Sequence, residues 1–380
     1  MKHTRKLNCL WLVLCLLCAA AAPVGYCSPG TQAALPLTDC AILHEPEFGG
    51  VYIASTSDDF NAMGYEYGDS VDIAFSNGYS LKDRPYYNGY YTQNGESLLV
   101  AYPGYDYIKA CINNGDDLWV VAGLSEDVTA TISLNERGKY LEIQNARNIH
   151  YDDEREKYAS DEVFANFRRV SVTGLKPDTL YRSASPCDNQ HNRAPYVDAL
   201  IQAAGVRCIL NLADNEEKIA GYLADDSYAT PCFESLHEAG NVIPLALNMN
   251  FGALEFQQKL ANGLIAMSAH EGPYLVHCTE GKDRTGFVCL LLEALCGASY
   301  EEIVADYMIT YDNYYGITPA TDPDRYTVIV EEVLDPMIQV VAGDGADIKT
   351  VDLKAGAEAF LRNVGMTRAQ IAALEAKLSD

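Results

Sequence analysis

His277-Cys278-Thr279-Glu280-Gly281-Lys282-Asp283-Arg284-Thr285-Gly286 is the stretch on which the fold of this 380-residue chain is decided. Residues 273–277 read as a short buried strand, and 286–296 as an apolar helix ended by Gly297. A loop between a strand end and a helix N-terminus gathers backbone N–H groups and the positive end of the helix dipole, which suits an anion. Five residues separate Cys278 from Arg284 within it. A thiol of ordinary pKa about 8.5 ionises more readily beside a helix N-terminus and a fixed cation, and the thiolate is a nucleophile. Arg284 supplies a planar fork that fits two oxygens of a phosphate, which a lysine would match less well. Gly281 and Gly286 allow the backbone to curl so that Thr279, Glu280, Gly281, Lys282, Asp283 and Arg284 line a phosphate nest. Thr285 is placed to hydrogen-bond the cysteine sulfur, His277 to brace the loop from behind, and Lys282 to add a second positive charge at the rim. A buried structural cysteine is the bland alternative, but propensity alone does not require Cys, Gly, Arg and Thr at these spacings. A nucleotide-binding loop is excluded: Asp283, not Ser or Thr, follows Gly281-Lys282, and no glycine lies five residues before Gly281.

The Gly-Lys-Asp-Arg-Thr-Gly form resembles the signature of the bacterial protein tyrosine/serine phosphatase family, cysteine-dependent enzymes some of which also act on phosphoinositides. Further segments resemble that family in the right order: Asn166-Phe167-Arg168, Leu180-Tyr181-Arg182-Ser183, Ile303-Val304-Ala305-Asp306-Tyr307 and Leu361-Arg362-Asn363-Val364-Gly365. The resemblance covers about 162–378. It implies an α/β fold with a central sheet covered by helices, and catalysis through a phosphocysteine on Cys278 with Arg284, Asp283 and Thr285 as partners. The chain departs from the family pattern at Asn211, Ala213 and Arg169, where the family has Asp, Arg and Asp.

The leaving oxygen needs a proton from an acid within hydrogen-bond reach. Many phosphatases of this class carry that aspartate on a mobile loop before the catalytic strand, but the corresponding stretch 246–255 contains only Glu255, at a helix start. Asp283 is the first candidate, on the position of its family equivalent; Asp214 and Asp306 are alternatives.

The chain opens with a positive segment, an apolar run from Leu7 to Val24 and small residues to Gly30. That is the order of a secretory signal, expected over 1–27, and implies an exported protein with no transmembrane anchor in the mature chain. Loss of this leader, with three lysines or arginines and no acids, takes the formal charge from −26 to −29. So acidic a chain opposes nucleic acid and anionic membranes. It also favours a singly phosphorylated peptide over a densely phosphorylated inositol unless cations cluster at the site. Among the cysteines, Cys187 and Cys232 lie in loops and could pair, or one could trap Cys278. No metal-ligand cluster is evident, and no cofactor is expected.

Residues 31–150 alternate in short runs such as Val71–Phe75, Ser97–Val100 and Thr131–Leu134, split by Asn-Gly and Pro-Gly turns. That is the punctuation of an all-β domain, barrel or sandwich. Gly68–Tyr87 and Ile112–Asp116 distantly resemble the small barrel domain of bacterial S-adenosylmethionine hydroxide adenosyltransferases, in shape only. Its crowded tyrosines (Tyr86, Tyr87, Tyr90, Tyr91, Tyr102, Tyr105, Tyr107) leave open a sugar- or peptide-binding face or plain strand packing. Residues 151–161 read as a charged linker. Beyond it, strands near 179–183, 206–212, 242–247 and 273–277 alternate with helices over 193–204, 254–270, 286–296 and 300–310, as in an α/β sheet. The first expectation is a phosphatase for phosphotyrosine, with phosphoserine and phosphothreonine in a phosphoprotein or phosphopeptide as further substrates. Phosphoinositides or inositol phosphates are the alternative, and a phosphate-binding module without turnover is a third.

Overall fold

The structure, a computed structural model, describes residues 34–379; the expected leader lies outside them. The first part is built from β1 (Leu37–His44), β2 (Val51–Ile53), β3 (Ser70–Phe75), β4 (Ser80–Tyr87), β5 (Ser97–Val100), β6 (Ile108–Ile112) and β7 (Thr129–Glu136). They close in the order β1-β2-β6-β5-β4-β3-β7, with β1 paired to both β2 and β7, so the barrel has no free edge. Of the two all-β forms expected, the barrel is the one found. Alternation explains the closure: Val71, Ile73 and Phe75 share one face of β3 and are buried against Val51, Ile53, Ala130 and Ile132. One pair, β4 with β5, is parallel, which the hairpin punctuation did not foretell. The tyrosines differ in burial. Tyr86 and Tyr87 are buried, whereas Tyr90, Tyr102, Tyr105 and Tyr107 are exposed.

The second part holds β8 (Arg168–Arg169), β9 (Leu180–Ser183), β10 (Cys208–Asn211), β11 (Val242–Pro244) and β12 (Tyr274–His277), ordered β11-β10-β12-β9-β8. β9 to β12 run parallel and β8 antiparallel, so β12 lies between β10 and β9 at the centre. Helices Ala194–Ala203, Glu216–Leu223 and Pro231–Glu238 cover one face through Val197, Ile201, Ile219 and Phe233. On the other face lie Leu254–Ser268, Asp283–Cys296, Leu353–Asn363 and Arg368–Leu378. Every residue of Asp283–Cys296 from Thr285 onward is buried. A helix apolar all round belongs in the middle of a core, and this one sits directly behind the loop that begins it. Pro323–Ile329, a π turn Val330–Leu334 and Asp335–Ala342 form a nearly continuous helical run that the sequence reading left unassigned.

The charged run 151–161 is fastened to the second part. Arg193, buried, donates to the Asp153 carboxylate at 2.7 Å and to the Asp152 carbonyl at 3.0 Å, and its guanidinium stacks over Tyr151.

Candidate active site

Two helices of the second part, Tyr300–Tyr315 and Arg368–Leu378, carry capping boxes, Ser299 with Glu302 and Thr367 with Gln370. The helix Asp283–Cys296 has no side-chain cap. Its first N–H groups, together with those of the preceding loop, therefore remain available to an anion.

The loop's carbonyls explain why the amides turn inward, because each is drawn outward by a partner. His277 Nδ1 lies 3.3 Å from the Cys278 carbonyl. The Ser185 amide donates to Thr279 O at 3.0 Å, and Tyr314 Oη to Glu280 O at 2.7 Å. Gly281 O receives Arg182 Nη2 at 3.1 Å and Asn166 Nδ2 at 3.2 Å. Lys282 O takes the Gly286 amide at 2.8 Å. Among the described residues, no N–H from Thr279 to Arg284 meets a protein acceptor. Gly281 has φ +70°, and a Cβ there would lie 2.3 Å from the Ser183 carbonyl, so both conformation and space demand glycine.

Arg284 closes the ring. Its Nη1 donates to Leu247 O at 3.2 Å and its Nη2 to Thr279 Oγ1 at 3.3 Å. Nε is buried without a partner, a donor left for an oxygen of the ligand. Cys278, almost wholly buried, stands at the end of β12 inside this ring.

Three expectations are corrected by the geometry. Lys282 is no free charge at the rim: its Nζ lies 2.9 Å from Glu280 and 3.8 Å from Asp283, with the Tyr315 hydroxyl at 3.4 Å. Burial alone would lower the ammonium's pKa, but the two carboxylates outweigh it and hold the pKa well above its ordinary value. The charge is thus spent within the loop, and Lys282 offers a ligand its backbone amide. Asp306 is not an acid near the leaving group. It lies beneath the loop, 2.9 Å from Arg168 and 2.6 Å from Arg182, and despite burial the two guanidinia hold its pKa far below the carboxylate range. The Thr285 hydroxyl is buried and has no hydrogen-bond partner among the described residues, the cysteine sulfur included.

Asp283 and Asp214 both reach the same edge of the sheet. Asp214 is buried, held by Asn211 Nδ2 at 3.2 Å and faced by the Tyr222 hydroxyl at 3.4 Å. Asn211, one of the departures from the family pattern, accepts from the amides of Ala213 and Asp214 and so shapes that turn itself. Only Asp283 lines the cavity that opens beside the loop. That cavity has a volume of about 570 Å³ and is bounded by Met249 and Phe251, by Val333 and Met337, and by Tyr91 and Asn94 of the barrel part. Glu255 is exposed and paired with Lys259 at 2.8 Å. Cys187 and Cys232 are not joined; Cys187 Sγ faces Ser185 Oγ at 3.5 Å. Arg169, the third departure, is tied to Asp178 at 2.8 Å, away from the loop.

The sequence points to Asn166 and Arg182 by resemblance alone, to Asp306 by resemblance and as an alternative acid, and to Tyr314 and Thr310 not at all. Asn166 carries a signal that could have been used: it adopts φ +49°, a conformation asparagine tolerates better than most residues. From there its amide bridges two loop carbonyls and Thr310. Among the described residues, no group of three or more His, Cys, Asp or Glu side chains gathers as a metal site would.

A central strand that ends in a cysteine within such a cradle is the architecture of a cysteine-dependent phosphatase. Residues 164–380, more than half of the chain, match the tyrosine phosphatase family, and the chain belongs to it. A Cupriavidus necator protein named as a tyrosine-protein phosphatase is 56% identical over 34 residues, which is 9% of this chain and 12% of that protein. Triple specificity protein phosphatase PtpB of Mycobacterium tuberculosis is 39% identical over 56 residues, 15% of this chain and 20% of its own. Both matches span far less than two thirds of those relatives. Among solved structures, the core catalytic domain of the S. cerevisiae PP-IP phosphatase SIW14 is 19% identical with a TM-score of 0.26, over 47% of this chain and 90% of that one. P. aeruginosa TpbA is 19% identical with a TM-score of 0.23, over 56% and 89%.

Proposed function

We propose that the chain is an exported phosphatase that hydrolyses phosphotyrosine in proteins or peptides through a phosphocysteine on Cys278. The observation that carries the chemistry is the row of unpartnered amides from Thr279 to Arg284, completed by the free Nε of Arg284. In the first step the Cys278 Sγ–P bond forms while the ester P–O bond breaks, and the leaving oxygen takes a proton from Asp283. Water then attacks phosphorus, the S–P bond breaks, and a proton returns to Asp283 as the thiolate is restored. Amides and Arg284 hold the three equatorial oxygens throughout, so catalysis is chiefly electrostatic preorganisation.

The choice of a singly phosphorylated substrate rests on the charges in the adjoining cavity. Of its two cations, Lys282 is already paired with Glu280 and Asp283, whereas Arg147 meets only neutral groups, the Tyr91 carbonyl at 3.4 Å and the Tyr91 ring. Arg147 alone is left to meet a second phosphate, and nothing comparable a third. The aromatic and aliphatic walls suit a tyrosyl leaving group. Export rests on the leader read from the sequence.

The test is hydrolysis of a phosphotyrosine peptide, a phosphoinositide and an inositol polyphosphate under reducing conditions, by wild type and Cys278→Ser. Peptide turnover is expected to exceed the others, and the serine variant to lose at least about a thousandfold while still binding phosphate. Faster turnover of either inositol compound would overturn the substrate assignment. Phosphate binding without turnover by wild type would make the protein a capture module.

A further inference from the structure

Gln93 and Asn94, consecutive in the barrel loop that precedes β5, reach opposite walls of the cavity beside the catalytic loop. Gln93 Nε2 donates to the Glu332 carbonyl at 2.7 Å, inside the π turn of one wall. Asn94 Nδ2 donates to the Met249 carbonyl at 3.0 Å, on the loop that forms the other. The Asn94 amide cannot flip without loss, because its Oδ1 accepts Asn114 Nδ2 at 2.8 Å. Asn250 returns a bond to the barrel, its Nδ2 donating to Asn114 O at 2.7 Å.

The wall held by Asn94 needs holding. Ala246 sits at φ +46°, a region costly for alanine that persists only where neighbours enforce it. The next residue, Leu247, presents its carbonyl to Arg284. This segment, 246–252, stands where many phosphatases of this class carry a mobile acid loop, and here it carries no aspartate. The other wall is a π turn, a local departure from α geometry that recurs at functional sites.

We propose that the barrel is a part of the substrate site: Gln93 and Asn94 are positioning residues that staple the two walls and set the width of the leaving-group cleft. The cleft then takes an elongated leaving group, with the barrel's amides along one side and Phe251, Val333 and Met337 along the other. The inference rests on the phosphatase reading above and adds what selects the leaving group. Because every bond of the staple joins a neutral amide to a carbonyl, salt should leave it intact.

The test compares the full-length wild type with Gln93→Ala/Asn94→Ala, and with Gln93→Glu/Asn94→Asp, which keeps the size of the side chains and removes the donors. Both residues are peripheral, so the fold is expected to persist, checked by an unchanged melting temperature. For a phosphotyrosine peptide, kcat/KM should fall about tenfold, mostly through KM, against about twofold for p-nitrophenyl phosphate, whose leaving group is too short to span the cleft. Amide exchange should rise within 246–252 and 330–334. Equal losses on the two substrates, full retention on the peptide, or normal behaviour of the Glu/Asp variant would each overturn the staple. Should wild type hydrolyse neither substrate, the phosphatase reading fails by itself; the staple is then judged by exchange and by peptide affinity of Cys278→Ser with and without the two changes.

Discussion

Asp283 and His277 stand near Cys278, the proposed nucleophile, and can be separated by chemistry. Asp283 is the one carboxylate of the three acid candidates that faces the cavity. A proton donor matters most when the leaving oxygen is a poor one. Asp283→Asn should therefore cut kcat on phenyl phosphate or a phosphoserine peptide about a hundredfold, and on p-nitrophenyl phosphate only a few-fold. Equal losses on all three would remove it from that role and return attention to Asp214. His277 cannot serve instead, since burial, with Arg284 a lesser cause, pushes its pKa down to about 3 and leaves the ring neutral. The sign for stability follows. A histidine with ordinary pKa near 6.5 unfolded and about 3 folded binds its proton only on unfolding between those values. Stability is full above pH 6.5 and falls as pH drops towards 3, by several kcal/mol at most. In urea melts from pH 7 to pH 4, wild type should lose more stability than His277→Asn; parallel lines would show that the ring is protonated in the folded state. Residue identity in the loop was legible because spacing alone encodes it. The state of Lys282 was not, because the carboxylates that neutralise it lie one and two residues away, where sequence gives no indication of which way side chains turn.

The loop is held by elements far from it in sequence, and their energetics differ sharply. Arg182, buried, and Arg168, nearly so, lie beneath it with Asp306 as their shared counter-ion, and Arg182 passes the constraint to Gly281 O. Glu293, from the helix Asp283–Cys296, joins the same cluster. Burial, with the Asp306 charge next, raises its pKa well above the ordinary carboxylate value, which favours its neutral form. Two substitutions of equal size should then behave unequally. Asp306→Asn strands two buried guanidinia and should cost about 3–5 kcal/mol, whereas Glu293→Gln replaces one neutral group with another and should cost under about 1 kcal/mol. Denaturant unfolding measures both, and comparable costs would mean that Glu293 is ionised. The strands β10, β11 and β12 were legible within a few residues because each is a short, mostly apolar run between turn residues. The helices Glu216–Leu223 and Pro231–Glu238 were not: each buries few residues, Ile219 in one and Phe233 in the other, too few to mark a period. The π turn was equally hidden, since its sequence Val-Glu-Glu-Val-Leu is ordinary helical material and the departure from α geometry comes from packing.

At the scale of the whole molecule, a formal charge of −26 surrounds a site made to attract phosphate. The attraction is local: amides and one guanidinium act over a few ångströms, inside a buried ring that salt screens weakly. The repulsion acts at longer range, over distances that fall within screening, the Debye length being about 10 Å at 0.1 M salt and about 3 Å at 1 M. Ionic strength should therefore move different substrates in opposite directions. An inositol polyphosphate, repelled on approach, should gain kcat/KM between 0.05 and 0.5 M sodium chloride. A phosphotyrosine peptide with lysines on both sides, drawn in by the same field, should lose it. The changes should appear in kcat/KM and little in kcat, because the bound phosphate already lies within the amide ring. If the polyphosphate also slows as salt rises, a cationic surface must surround the mouth, and the preference for a single phosphate would have to be abandoned.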